Sequence, residues 1–317
     1  MCTAINETNG RHIFGRTLDL ECSYGEEVVI LPRRFPLRFL HLRGLAEHLA
    51  IIGTAHVAGG VPLFYDGANE AGLCAAALNF PDLAKYLPPS STERSLASFE
   101  LIPRILATAK SVEEVRRLLA GARITNESFS RELPPTPLHW IFADKGSAIT
   151  VEQGECGLKI HDNPYGVLSN SPDFLSQIYN LERYLHIIES DRHIAGLHSR
   201  GLDGFGIPGD YSSGSRFVRA VYAKSRALPE HGRLSAISRF FHLFDTVSQT
   251  RGATRAEDGR PVKTVYTSAI DTQSLEYHFT TYESRRVRCV RLCEKNVYGE
   301  SLQRFPIHEA EQTLPLN

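Results

Sequence analysis

Short runs of hydrophobic residues, several of them alternating with polar ones, occupy the first 80 positions of the chain, and this pattern is typical of β-strands. These runs cover residues 2–5, 11–20, 27–31, 50–53 and 73–79. The dipeptide Asn9-Gly10 separates the first two runs and is a strong short-range signal for a hairpin turn. We therefore predict an N-terminal β-hairpin whose second strand carries Arg16 and Leu18 on one face and Asp19 on the other.

Helical periodicity follows a proline- and serine-rich stretch at residues 87–95. Ser111 and Glu114 have the spacing of a capping box, so we predict that an amphipathic helix begins at Val112. Further helices are predicted over residues 98–109, 174–188, 215–227 and 234–247. Strands are predicted over residues 138–142, 148–152, 158–161, 166–168, 262–268, 275–281 and 286–292. This order predicts an α+β fold with layered sheets, and because no composition break divides the chain, we predict a single domain over residues 1–317.

Composition and charge exclude classes of function rather than select one. Hydrophobic residues make up 42% of the chain and charged residues 22%, which is enough apolar material for a sizeable core. The formal net charge of −1 provides no basic surface, so we expect no nucleic-acid partner. No apolar run approaches the roughly 18 residues of a membrane span, so we expect no membrane partner. Met1 directly precedes Cys2 without a leader, and we therefore expect a cytoplasmic protein.

The sequence carries no signature of a metal or cofactor site. Its six cysteines lack the spacing of a disulfide framework, and Cys289 and Cys293 form a lone pair without nearby histidines. No HExxH motif, GxGxxG motif or phosphate-binding loop occurs. We therefore expect no metal and no cofactor, and Cys74 is predicted to be a small buried hydrophobic residue.

Cys2 gains a second reactive group when Met1 is removed, because the new N-terminal residue carries both a thiol and an α-amine. Their reference pKa values, about 8.5 and about 7.7–8.0, are well matched for proton transfer, so the thiol is a nucleophile with its own base. Arg16 is a candidate to lower the pKa of the thiol, and Asp19 is a candidate to hold the amine. The alternatives are a cysteine without chemistry and an exposed ion pair at a strand end.

Short motifs that resemble one family occur in that family's order from residue 1 to residue 283. They are Met1-Cys2-Thr3, Phe14–Asp19, Leu78–Pro81, Leu168–Pro172, Gly206–Asp210, Ser213–Phe217 and Thr280–Glu283. Together they resemble the choloylglycine hydrolase family of N-terminal nucleophile hydrolases, which contains bile salt hydrolases and penicillin V acylases. The resemblance implies a four-layer αββα sandwich of N-terminal nucleophile hydrolase type, a bacterial cytoplasmic location and a homotetramer.

The resemblance also implies a role for each catalytic residue. Cys2 attacks the amide and forms a thioester, while Asn79 and Asn170 donate hydrogen bonds to the oxyanion, an interaction worth about 2.7–4 kcal/mol of barrier. Arg216 holds the network around the cysteine. The alternative for each asparagine is a turn residue that bonds its own backbone, and the alternative for Arg216 is an exposed position at a helix N-terminus.

The implied substrates are bile acids conjugated to glycine or taurine. Leu18, Phe64 and Leu133 match positions that line the acyl pocket of the family, although core packing is the alternative. Arg200 is a candidate partner for the taurine sulfonate. Asn79 favours a bile salt hydrolase, since penicillin V acylases of the family tend to have tyrosine there.

Three other readings of the resemblance remain open. The first is an acylase for penicillin V or for N-acyl-homoserine lactones, and the second is aminoacyl transfer from the thioester to another amine. The third is a catalytically silent ligand-binding relative, which follows if Met1 stays on the chain and the α-amine belongs to the wrong residue.

Overall fold

The computed structural model describes residues 1–188, 203–313 and 315–316. Its strands are β1 (Cys2–Asn9), β2 (Arg11–Leu20), β3 (Glu26–Leu31), β4 (Ile51–Ala58), β5 (Val61–Phe64), β6 (Asp66–Asn69), β7 (Cys74–Asn79), β8 (Arg94–Ala97), β9 (Ala122–Thr125), β10 (Leu138–Ala143), β11 (Ala148–Gly154), β12 (Gly157–Asp162), β13 (Val167–Leu168), β14 (Thr254–Arg255), β15 (Pro261–Asp271), β16 (Glu276–Thr281), β17 (Arg288–Arg291) and β18 (Gln303–Pro306). Its α-helices are α1 (Leu101–Thr108), α2 (Val112–Leu119), α3 (Phe174–Glu182), α4 (Leu185–Ile188), α5 (Ser213–Arg226), α6 (Arg233–Asp245) and α7 (Glu294–Val297).

Two large antiparallel sheets form the centre of the molecule. The first has the order β13-β1-β2-β15-β16-β17, with β14 beside β15, and the second has the order β12-β11-β10-β7-β6-β4-β3-β18, with β5 beside β4. The parallel pair β8 and β9 stands apart from both. The N-terminal hairpin therefore lies inside the first sheet, where β1 pairs with β13 and β2 pairs with β15.

Two hydrophobic clusters show how the sheets and helices are layered. The larger cluster joins the facing sides of the two sheets and includes the apolar sides of α5 and α6. The smaller one lies on the other side of the second sheet, where α1 and α2 cover it. The order helix, sheet, sheet, helix confirms the predicted αββα sandwich, because each sheet buries one face against its partner and the other against helices.

The predicted N-terminal hairpin is confirmed. Cys2 pairs with Leu18 in the antiparallel register, and Gly10 turns the chain with φ of 77°, a conformation that favours glycine. The predicted start of α2 is also confirmed, since the Ser111 hydroxyl accepts from the Glu114 amide. The second half of the capping box differs from the expectation, because the Glu114 carboxylate accepts from the backbone of Lys110, one residue earlier.

Among the described residues, no helix is long and apolar enough to cross a membrane. All six cysteines lie in the described part of the chain, and each has a free thiol. Cys74 is completely buried, as predicted for a small hydrophobic residue.

Candidate active site

Cys2 lies at the start of β1, where its main chain is held by two other parts of the molecule. Its nitrogen donates to Asn170 Oδ1 at 2.6 Å, and its carbonyl accepts from Arg216 Nη1 at 2.5 Å. The residue is only 2% exposed, yet it lines a cavity of about 530 Å³. The position therefore combines a fixed backbone with a thiol at the wall of an internal space.

Asn170 follows β13, and its side chain joins three segments. Its Oδ1 accepts from Cys2 and also from Arg216 Nη2 at 2.8 Å, while its Nδ2 donates to the carbonyl of Asn79 at 2.7 Å. The Ser213 hydroxyl fixes the Asn170 backbone from the start of α5. This geometry differs from the predicted role, because the Nδ2 donor expected to face an oxyanion is already used within the protein. The side chain instead holds the nitrogen of Cys2.

Arg216 lies in the first turns of α5, which packs against β1 and β13, and it is completely buried. Besides Cys2 and Asn170, it donates to Thr3 Oγ1 at 2.6 Å and to the Tyr211 carbonyl at 3.1 Å. Burial lowers the pKa of the guanidinium, while the charges of Asp19 and Cys2 act in the opposite direction. The buried position differs from the exposed arginine that was the sequence alternative, and it fits the predicted role of holding the cysteine network.

Arg16 is the second buried arginine beside Cys2, and it extends from β2 towards the second sheet. Its Nη1 donates to the carbonyls of Tyr65 at 3.0 Å and Ala77 at 2.5 Å. Its Nη2 is buried without a hydrogen-bond partner among the described residues. Burial acts to lower the pKa of Arg16, but surrounding negative groups, with Cys2 the largest contributor, raise it overall.

Asp19 lies on the opposite face of β2, as the alternation predicted. Its carboxylate accepts from Thr264 Oγ1 at 2.7 Å and from Gln249 Nε2 at 3.2 Å. The carboxylate does not bind the nitrogen of Cys2, and it is the main-chain carbonyl of Asp19 that accepts from the Met1 amine at 2.5 Å. The expected contact with the Cys2 amine is therefore not made while Met1 is present.

The cavity beside Cys2 is formed mainly by aliphatic and aromatic side chains. The predicted pocket residues Leu18, Phe64 and Leu133 all contribute to its wall, together with Asn79 at the end of β7. The side-chain amide of Asn79 makes no hydrogen bond to any described residue, so it remains available as a donor to a bound molecule. Arg200 lies outside the described residues.

One group of potential metal ligands occurs in the described part of the chain, well away from Cys2 in sequence. Side-chain atoms of Glu276, His278 and Cys289 lie within 4.8 Å of one another. However, both Glu276 oxygens already pair with guanidinium groups, those of Arg233 and Arg291. A metal ion would have to displace two cations from its only carboxylate, so we assign no metal to this group.

Several polar residues that support the site were not predicted as site residues. Thr3 and Ser213 stand inside the sequence motifs, and their hydroxyls contact Arg216 and Asn170. Asp66 and Ser268 lie behind Arg16, where the Ser268 hydroxyl accepts from the Arg16 backbone at 3.1 Å and donates to Asp66 at 2.7 Å. No local pattern identifies these two residues, because they meet across two different sheets.

The sequence matches the family described as linear amide C–N hydrolases, choloylglycine hydrolase family, over residues 2–305. A relative named bile salt hydrolase/transferase, from Lactiplantibacillus plantarum, is 38% identical over 100% of both chains. A second relative with the same name, from Clostridium perfringens, is 30% identical over 100% of this chain and 99% of the relative.

Solved structures resemble the fold over its full length. The crystal structure of the mutant C2A conjugated bile acid hydrolase from Clostridium perfringens has a TM-score of 0.91 and 28% identity, covering 100% of each chain. Penicillin V acylase from Agrobacterium tumefaciens has a TM-score of 0.77 and 20% identity, covering 96% of this chain and 90% of that one. The second likeness shows the fold alone.

Proposed function

Since the chain belongs to the choloylglycine hydrolase family of linear amide C–N hydrolases, we propose that it hydrolyses the amide bond of bile acids conjugated to glycine or taurine. The observation that carries the proposal is the position of Cys2 in the wall of a largely apolar cavity of about 530 Å³. An apolar cavity of several hundred cubic ångströms with few polar groups suits a rigid steroid acyl group.

Met1 is removed once, before any turnover. Hydrolysis of its peptide bond turns the nitrogen of Cys2 into an α-amine beside Asn170 Oδ1. The amine takes the proton of the thiol, and the sulfur attacks the substrate carbonyl to form a tetrahedral oxyanion. Asn79 lines the cavity, and in the proposed mechanism its amide donates to this oxyanion. The ammonium then returns the proton to the leaving nitrogen, so that glycine or taurine departs and a thioester remains on Cys2.

Deacylation uses the same groups in reverse. The α-amine takes a proton from water, the hydroxide attacks the thioester carbonyl, and the thiol leaves with the proton as the bile acid is released. If another amine attacks in place of water, the product is a new amide. Both relatives are named bile salt hydrolase/transferase, so this second outcome is worth measuring.

The test is amine release from taurocholate, glycocholate and penicillin V, side by side under reducing conditions, with the intact mass of the chain recorded first. We expect loss of one methionine, rapid release of taurine or glycine and little release from penicillin V. The variant Cys2→Ala should release no amine. Faster cleavage of penicillin V would reject the bile acid proposal in favour of an acylase, and full activity of Cys2→Ala would reject the mechanism.

The cellular location and the oligomeric state are proposed from the family resemblance. We propose that the chain acts in the bacterial cytoplasm and assembles as a homotetramer. Light scattering of the purified protein at several concentrations tests the assembly, because a tetramer has a mass four times that of the 35.3 kDa chain. A monomer at every concentration contradicts it.

A further inference from the structure

A carboxylate lies completely buried between the two sheets, behind the active site. Asp66 begins β6, and its Oδ1 accepts from the Thr54 amide at 3.1 Å and from the Tyr277 hydroxyl at 2.7 Å. Its Oδ2 accepts from the Ser268 hydroxyl at 2.7 Å. Tyr277 and Ser268 belong to the first sheet, whereas Asp66 and Thr54 belong to the second, so this side chain connects the two sheets.

The hydrogen bonds around Asp66 are arranged for an anion. The Tyr277 hydroxyl gives its hydrogen to Asp66 and therefore receives one from Thr54 Oγ1, which lies 2.6 Å away. In the same way, Ser268 gives its hydrogen to Asp66 and receives one from the Arg16 backbone. Both chains of donors end at the carboxylate, and an anionic carboxylate accepts only. Burial raises the pKa of Asp66 overall, although Arg16 and these donors act to lower it.

Asp66 is linked to Arg16 by position as well as by charge. The neighbouring carbonyl of Tyr65 accepts from Arg16 Nη1, so the strand that Asp66 holds against the first sheet also holds the guanidinium. Cys2 and Asp66 are both among the negative groups that raise the pKa of Arg16. The guanidinium therefore has the nucleophile and a buried carboxylate as competing partners.

We propose that Asp66 is a positioning residue that fixes Arg16 beside the nucleophile and, as its buried counter-charge, limits how strongly Arg16 stabilises the Cys2 thiolate. The inference rests on the proposed function, in which Cys2 is the nucleophile. Without the carboxylate, a buried negative charge is lost and the positive charge of Arg16 is no longer offset, so we expect the thiolate to form at lower pH. A thiolate of lower pKa is intrinsically less nucleophilic, so each thiolate should then attack more slowly.

Other titratable or charged groups surround Cys2 and Arg16. They are Asp19 on β2, Tyr65 before β6, Tyr266 on β15, Tyr277 on β16 and Arg216 on α5. The substitution Asp66→Asn keeps the size of the side chain and leaves all of these other groups in place. Ser268→Ala is its matched control, because it removes one hydrogen bond to Asp66 and leaves the charge in place.

The experiment measures alkylation of Cys2 by iodoacetamide as a function of pH, with the Cys2 peptide followed by mass spectrometry to separate it from the five other thiols. We expect the pH at which Cys2 alkylation is half-maximal, its midpoint, to be lower in Asp66→Asn than in the unmodified chain by on the order of one pH unit. The midpoint of Ser268→Ala should not fall in this way. In an Arg16→Gln background, the buried Asp66 loses the cation that keeps it ionised, so Asp66→Asn should no longer lower the midpoint.

An unchanged midpoint in Asp66→Asn, or an equal fall in Ser268→Ala, overturns the proposal, because a structural role alone does not depend on the charge. If Asp66→Asn does not fold, carboxyl NMR of the unmodified chain decides the question, and a protonated Asp66 at neutral pH overturns it. Alkylation needs no substrate. A shifted midpoint in a protein that releases no amine would therefore reject the proposed function and leave this inference intact.

Discussion

Arg16 and Arg216 are both completely buried next to Cys2, yet they approach it from opposite sides of the first sheet. Arg216 comes from helix α5 on the outer side of the first sheet, and its Nε, Nη1 and Nη2 all donate to protein atoms. Arg16 comes from β2 and extends between the sheets, where its Nη2 remains without a partner among the described residues.

The difference in their surroundings separates two tasks. Arg216 binds the backbone of Cys2 and the side chain of Asn170, so its contacts fix where the nitrogen of the nucleophile lies. Arg16 lies among negative groups that raise its pKa, and its free donor belongs to a residue of the cavity wall. We propose that Arg216 serves mainly as a clamp on Cys2 and that Arg16 serves mainly as a charge beside it.

The largest effect should come from Arg216→Lys. Lysine keeps the charge but cannot reproduce the fork that reaches Cys2, Thr3 and Asn170, so at least two charged hydrogen bonds are lost. Each is worth about 1.5–3 kcal/mol, so we expect urea unfolding to show that the free energy of unfolding falls by about 3 kcal/mol or more. Displacement of the nucleophile should also lower kcat/KM by roughly 100-fold. An unchanged free energy of unfolding would mean that the hydrogen bonds of Arg216 do not stabilise the fold.

A smaller and different effect is expected from Arg16→Gln. Removal of this charge withdraws a buried cation that interacts electrostatically with Cys2, so the pH midpoint of Cys2 alkylation should rise by on the order of one unit. Arg16→Lys is the matched control, since it keeps a positive charge and should move the midpoint much less than Arg16→Gln does. If Arg216→Lys raises the midpoint as much as Arg16→Gln, the division between clamp and charge is wrong.

The sequence predicts those parts of the fold that depend on local signals, and it misses pairing between distant segments. Local signals were sufficient for the hairpin at Asn9-Gly10 and for the start of α2 at Ser111, because turn and cap residues act over a few positions. The parallel pair β8 and β9 was not predicted. Its two strands are separated by two helices, and β8 directly follows a serine-rich stretch that reads as a loop. Pairing across such a separation depends on tertiary packing rather than on the local sequence.

The site was predictable where a residue type alone specifies its use, and less so where the direction of a side chain matters. The resemblance selected Asn170 as a site residue, but only the structure shows that its Nδ2 is bound to Asn79 while its oxygen faces Cys2. Asp66 was not selected at all, because its partners Ser268 and Tyr277 are about 200 residues away in sequence. Such long-range polar contacts have no periodicity that a sequence pattern can reveal.

The smallest predicted effect tests the loop that presents Arg216. Asp210 accepts from the Ser212 amide at 2.8 Å and from the Ser215 hydroxyl at 2.6 Å, and these serines lower the pKa of Asp210 to about 2. A carboxylate whose pKa is lowered by folding stabilises the protein above its unfolded value of 3.8 and loses this contribution as the pH falls towards 2.

Asp210→Asn should therefore reduce the free energy of unfolding by about 0.5 kcal/mol at neutral pH, where the carboxylate is ionised and accepts both hydrogen bonds. The difference from the unmodified chain should shrink as the pH falls from 3.8 to about 2, because Asp210 then takes up a proton in the unfolded chain before it does so in the folded protein. Urea unfolding of both proteins at neutral pH and at a pH of about 2 measures this difference in the free energy of unfolding. Asp210 binds the start of α5, which carries Arg216, and it makes no contact with Arg16. The pH midpoint of Cys2 alkylation should therefore not move. A midpoint shift in this variant would show that the two arginines act as one unit rather than as a separate clamp and charge.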